Sequence, residues 1–324
     1  MIFDEQISRK PDHYPFANEM IDAMWAGHWT PNEFTFTSDL QNYKVDFNDK
    51  EREVIKNALS AIGQIEVAVK TYWARLGNTL RHPSLSDLGI VMAQIEVIHG
   101  RAYERLLDVL ELQDTFQENL KLDIIRGRVN YLRKYLDKNY TDDKKQFVYS
   151  LILFTLFVEN VSLFSQFYVV LWFNRFRNSL KDAAQQIDYT KREELLHAQA
   201  GTKLIQIIRS EYPYLFDDEL EARIVQEAQE AFKAESKIVD WMLGDYTGEN
   251  LNKAVLKEYI KGRINESLVG IGFKTPFVLN EVLIEQTRWM DEDVLGTNMT
   301  DFFHKRPTDY AKSHTSFDEA AIFG

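Results

Sequence analysis

Two short units of this chain could do chemistry together. Glu96-Val97-Ile98-His99 and Glu194-Leu195-Leu196-His197 each place a carboxylate and an imidazole three residues apart. On a helix, residues i and i+3 share a face with their Cβ atoms about 5–6 Å apart, so each unit offers one oxygen and one nitrogen donor to a common point. One such unit is weak evidence, since Glu and His meet by chance in helical proteins. Two, on separate apolar helices, are much stronger. The 324 residues include no cysteine, which excludes disulfide scaffolds, thiolate zinc, cysteine nucleophiles, iron–sulfur clusters and thiolate haem. Mixed oxygen and nitrogen ligation without sulfur suits iron or manganese better than the closed tetrahedral sites of zinc.

Two more carboxylates complete a pattern. Glu159 is the only charged residue between Gln146 and Asn174, and Glu66 lies among Ile62, Ile65, Val67 and Val69. A lone carboxylate in an apolar helix is costly without a partner, so something positively charged should sit against Glu159. In ferritin-like di-metal bundles, two helices each contribute Glu-x-x-His and two others a Glu each. The order here is Glu66, Glu96/His99, Glu159, Glu194/His197, with separations that leave room for a helix and its return. Four carboxylates would neutralise two divalent cations. Singly, these residues read as solvated helix-face carboxylates or core histidines. Jointly, that reading must explain six ligand-type residues in the expected order.

Such a site needs long helices to hold it. No proline occurs between Pro83 and Pro213, which permits uninterrupted helices and makes an all-β fold poor. Periodicity predicts helices over about 48–80, 84–112, 118–138, 142–176, 180–210, 217–244 and 250–270. The expected class is all-α: a ferritin-like helical bundle with additional helices, in one domain over 1–306, followed by a tail over 307–324 whose polar composition suits folding onto a partner. The stretch 146–174 is long enough to span a bilayer. A helix apolar all round also fits the centre of a large soluble bundle, and the polar Asn160, Ser162, Ser165 and Gln166 beside Glu159 favour that reading. With 38 Lys+Arg against 50 Asp+Glu the net charge is −12, unsuited to nucleic acid. The N-terminus lacks the form of a secretion signal, so the cytoplasm is expected, with no membrane and no nucleic-acid partner.

At this point the residues resemble a known family, the small, radical-generating subunit of class I ribonucleotide reductase. EVIHGRAY, from Glu96, is similar to its Glu-x-x-His-x-x-x-Tyr segment, which puts Tyr103 at the tyrosyl-radical position. The stretch from Glu159 to Phe167 resembles the third ligand helix, with Leu163 and Phe167 in the apolar radical pocket. REELLH, from Arg192, resembles Arg-Asp-Glu-x-x-His; HWTPNEF, from His28, resembles the segment carrying the relay tryptophan, here Trp29. DFFHKRPTDYAK, from Asp301, resembles the segment ending in the tail tyrosine, here Tyr310. The first ligand is Glu66 where the family usually has Asp, and the relay carboxylate is Glu193 where Asp is usual. Lys70, one turn after Glu66, could contact Tyr103 or Glu66, or snorkel to the surface. These departures resemble a subgroup that uses a manganese pair and keeps the tyrosine unoxidised.

The resemblance implies a dinuclear cofactor held by Glu66, Glu96, His99, Glu159, Glu194 and His197. Two manganese ions are favoured, with two iron ions or a mixed manganese–iron pair as alternatives, and oxygen or superoxide as the activating oxidant. It implies an oxidising equivalent passed through His99, Glu193 and Trp29, then Tyr310, to a cysteine of a separate large subunit that reduces ribonucleotides for DNA replication. The tail would dock by Phe317, Ile322 and Phe323, and the chain would be a homodimer. With no cysteine, this chain cannot itself perform thiyl chemistry and must be one component of an enzyme. The alternatives are a ligand-binding oxidase of the same fold, an iron-storage protein, and a metal-free helical scaffold.

Overall fold

The computed structural model describes residues 1–128 and 143–290, and for 66–70 the backbone alone. Its architecture among those residues is helical, with no strand beyond an isolated bridge between Gly248 and Leu251. The principal helices are α1 (Phe16–Ala26), α2 (Asp49–Ala74), α3 (Pro83–Val109), α4 (Gln113–Asn119), α5 (Lys144–Leu153), α6 (Phe164–Arg177), α7 (Lys181–Glu211), α8 (Asp218–Leu243) and α9 (Lys253–Gly270). Between α5 and α6, residues Phe154–Ser162 form a π-helix.

Local chemistry sets the starts of the long helices. Asn48 and Glu51 exchange backbone and side-chain hydrogen bonds in a capping box at α2. Pro83 opens α3, where its missing N–H costs nothing. Asp143, Asp217 and Asn252 cap α5, α8 and α9 with side-chain oxygens. The sequence places these starts within about three residues. Elsewhere the boundaries differ. The helix expected over 48–80 stops at Ala74, and a short piece, Leu76–Thr79, follows. The helix expected over 118–138 begins as α4 at Gln113, breaks at 120–122 and resumes at 123–128; its remainder lies outside the described residues. The single helix expected over 142–176 is α5, the π segment and α6 in succession.

The extensive α2–α3 packing forms one side of the bundle, and the π segment and α6 with α7 form the other. Close approach depends on missing side chains. A Cβ on Gly89 of α3 would lie 2.5 Å from the carbonyl oxygen of Trp73 on α2. A Cβ on Gly201 of α7 would collide with the Thr155 side chain of the π segment. Both glycines therefore bring ligand-bearing helices together at a distance no larger residue allows. The apolar stretch Lys144–Arg177 passes through the middle of this bundle, with 94% of its most hydrophobic window buried inside the fold. Among the described residues it is the one helix long and apolar enough to cross a membrane, and its burial accounts for its composition.

Candidate metal centre

Helices α3, α7 and the π segment aim their acidic and imidazole side chains at one buried point. Glu96, Glu159, Glu194 and His197 each bring a ligand atom within 4.8 Å of all the others. His197 Nδ1 lies 2.8 Å from Glu96 Oε1, 3.6 Å from Glu159 Oε2 and 3.9 Å from Glu194 Oε2. His99 Nδ1 lies 3.4 Å from Glu96 Oε2 and 3.2 Å from Glu194 Oε1. All five side chains are buried. The i, i+3 spacing read from the sequence thus places each Glu-x-x-His pair together and sets the two pairs against each other.

The electrostatics of this cluster call for cations. Among the described residues no lysine or arginine pairs with Glu96, Glu159 or Glu194. Both oxygens of Glu96, Oε2 of Glu159, Oε1 of Glu194 and both ring nitrogens of His197 lack an aligned hydrogen-bond partner. The His197–Glu96 contact is short but not aligned as a hydrogen bond. Buried carboxylates in that state are costly unless paired or bound to metal. Protons meet part of the need. Burial and the charges of Glu96 and Glu159 push the Glu194 carboxyl well above its ordinary range. Burial lowers the His197 imidazole, but Glu159 and Glu96 outweigh it and raise it to about 9. Burial raises Glu96 while His197 and His99 pull it down more strongly. Three buried carboxylates and two imidazoles, with no cationic side chain against them among the described residues, fit divalent metal ions in a dinuclear carboxylate–histidine site.

One side of the cluster connects outward. His99 Nε2 lies 2.7 Å from Glu193 Oε2, and the Trp29 indole N–H donates to that same oxygen at 2.9 Å. With Nε2–H directed at Glu193, the Nδ1 lone pair of His99 faces Glu96 and Glu194, the tautomer that a metal ligand requires. The Trp29 and His99 rings lie near parallel, 6.3 Å apart. Trp29 is held there by the chain around it. Arg105 of α3 donates to the carbonyls of Pro31 and Phe34 at 3.1 and 2.8 Å. Asp39 accepts from the amides of Asp182 and Ala183 at the start of α7, and Asp182 accepts in return from Thr35 and Phe36. This exchange caps α7 from outside and ties the Trp29 loop to the helix that carries Glu193.

Glu159 has a different partner from the one its charge suggests. Instead of a cationic side chain, the Trp73 indole N–H of α2 donates to its Oε1 at 2.5 Å. Nothing in the apolar spacing of α2 pointed to that contact, which depends on the α2–π packing. Tyr103, Leu163 and Phe167 are all buried in the core. The side chains of Glu66 and Lys70, and the whole of Tyr310 and the tail over 307–324, lie outside the described residues. Two buried arginines that donate to carbonyls of the π segment, Arg128 and Arg263 of α9, were also missed by the sequence reading.

Residues 6–281 match the family model described as ribonucleotide reductase, small chain. The chain belongs to this family. It is a small subunit of ribonucleotide reductase and hence part of an oxidoreductase. The ribonucleoside-diphosphate reductase subunit beta of Halalkalibacterium halodurans is 23% identical over 315 residues, covering 94% of this chain and 89% of the relative. Among solved structures, the ribonucleotide reductase R2 subunit from Clostridium botulinum superposes with a TM-score of 0.77 at 19% identity, over 86% of this chain and 87% of that one. Streptococcus sanguinis dimanganese(II)-NrdF gives 0.71 at 13%, over 88% and 99%. An R2-like ligand-binding oxidase with a Mn/Fe cofactor gives 0.68 at 16%, over 84% and 99%. These superpositions establish the ferritin-like fold.

Proposed function

We propose that this ribonucleotide reductase subunit generates and exports the oxidising equivalent for a partner large subunit. Glu66, Glu96, His99, Glu159, Glu194 and His197 hold a dinuclear centre, and the observation that carries this is the buried convergence of Glu96, Glu159, Glu194 and His197, whose carboxylates meet no lysine or arginine among the described residues. When bound, the metal pair supplies the one-electron oxidising power. Manganese is favoured, with iron or a mixed pair as alternatives; the oxygen and nitrogen donors admit all three. The surrounding residues exclude water, orient the ligands and carry the electron path. The bundle keeps the centre dry. His99, Glu193 and Trp29 form a continuous hydrogen-bonded line to the loop beside α3. Glu193 accepts from both rings, and its oxygen can hold a proton that moves with the electron.

Tyr310, on the tail over 307–324, takes the equivalent onward, and that tail docks on the large subunit. The domain over 1–306 works as a homodimer in the cytoplasm, supplying deoxyribonucleotides for DNA replication. Tyr103, Leu163 and Phe167 form the apolar surroundings of the metal pair, and Lys70, whose side chain lies outside the described residues, is assigned a contact with Tyr103 or Glu66 by the family resemblance alone. A ligand-binding oxidase is the second reading. The observation that bears on it is an open cavity of about 410 Å³ where apolar Met20, Leu156 and Leu195 meet polar Asn160, Lys203 and Glu266; no residue of the metal cluster lines it. Tyr310→Phe separates the two. It should abolish ribonucleotide reduction with the large subunit and leave metal content unchanged. Full activity in that variant sinks the relay.

A further inference from the structure

The segment that carries Glu159 needs outside help to hold its shape. Phe154–Ser162 is π-helical, a form that occurs in short pieces, often at functional sites, and poorly sustains itself. The end of a helical ladder leaves carbonyls without partners, and buried carbonyls must find them elsewhere. Two guanidinium groups supply partners on either side of the segment's end. Arg263 of α9 donates from Nε to the Asn160 carbonyl at 2.6 Å and from Nη2 to the Asn160 side-chain oxygen. Its guanidinium carbon sits 3.4 Å from the centre of the Phe164 ring. Asn160 in turn donates to Ser267 Oγ of α9 at 2.5 Å. Arg128 donates from Nη2 to the Ser162 carbonyl, from Nη1 to the Ala61 carbonyl of α2 at 3.0 Å, and from Nε to Glu235 of α8 at 3.0 Å.

The two arginines differ in how their charge is met. Arg128 and Glu235 are each 1% exposed and form a buried ion pair. Arg263 is buried, and among the described residues no carboxylate pairs with it. A buried cation facing one asparagine and two aromatic rings, Phe164 and Tyr259, is costly. Its rigid, multi-donor fork suits two acceptors on a single residue, which a lysine cannot match. That residue is the neighbour of Glu159.

We propose that Arg263 and Arg128 are positioning residues of the metal centre. By taking the carbonyls of Asn160 and Ser162 they hold Phe154–Ser162 in the π form, and that form sets where Glu159 projects. One residue more or less in a helical turn rotates every later side chain by about 100°. Loss of the π form would therefore swing Glu159 away from Glu96, Glu194 and His197. This rests on the reading of Glu159 as a ligand.

The test is Mn(II) titration of Arg263→Gln, Arg263→Lys and Glu159→Ala in the full chain, followed by EPR, with hydrogen exchange across residues 154–166. Arg263→Gln should weaken one of the two Mn(II) ions by roughly 10–100-fold, the range for lost outer-shell support, and should speed exchange in that segment. Arg263→Lys keeps a donor for the Asn160 carbonyl and should recover part of both. It also carries the comparison if the Gln variant does not fold. A loss in Glu159→Ala with wild-type binding and exchange in both Arg263 variants overturns the clamp while leaving the metal site standing. Wild-type binding in Glu159→Ala as well overturns both.

Discussion

The two Glu-x-x-His units share a sequence form and have opposite surroundings. At the first, the far nitrogen of His99 meets Glu193, and Glu193 meets Trp29. At the second, His197 has carboxylates on its near side, and its ring lies 6.4 Å from that of Trp73. Trp73 in turn is spent on Glu159 and packed edge-on against Tyr72 and Phe154 inside the core. One unit opens toward a loop held by Arg105 and the Asp39–Asp182 exchange, whereas the other is sealed by aromatic rings. Identical ligand spacing thus does not distinguish the two sides; the difference lies in what packs on the far face of each histidine.

Substitutions on the two sides should therefore fail in different ways. The largest effect belongs to Trp29→Phe, which removes the indole donor on Glu193 while filling much of the same space. Ribonucleotide reduction with the large subunit should be lost while metal stoichiometry stays unchanged, and retention of activity would break the contrast. Trp73→Phe, on the sealed side, should do the reverse. Losing the donor to a ligand carboxylate should weaken metal binding by about 10-fold. At saturating metal, turnover should stay close to wild type, and a collapse of turnover would place Trp73 on the conducting path.

The smallest effect is a pH signature of the sealed side. His197 is raised to about 9 in the metal-free fold from an ordinary value near 6.5. Its protonation therefore stabilises the metal-free protein fully below about pH 6.5, and that contribution is lost as pH rises toward 9. Metal ligation requires the neutral ring, so metal affinity should rise over the same window. Loading at pH 7 should release roughly one proton from this histidine. Melting temperatures with and without Mn(II) from pH 6.5 to 9, with a dye assay for proton release, check both. A metal-free stability that is flat across this window contradicts the assignment.

Much of this site was legible in the chain because helical neighbours are set by local spacing. The i, i+3 pairs and the isolation of Glu159 depend on residues within a turn or two of each other. The π segment was not legible. Periodicity over 142–176 reads as one continuous helix, and the partners holding the other form, Arg263 and Arg128, lie about 103 and 34 positions away from their acceptors. The expectation of a cation against Glu159 recognised the right difficulty. Its direct neighbours among the described residues are the Trp73 N–H and the His197 ring, whose pKa is raised to about 9; the proposed metal pair is the further cation.

The sequence by itself determined the donor types, their order along the chain and the absence of cysteine, since these are covalent facts. It also determined that long helices would carry the donors, since apolar periodicity and sparse proline are local properties. Only the tertiary structure decided which histidine faces outward, which tryptophan meets which glutamate and why the third ligand helix departs from α geometry. Those choices rest on contacts between helices far apart in the chain, such as Gly89 against Trp73 and Gly201 against Thr155. Close packing selects such contacts from many that the same spacing would permit.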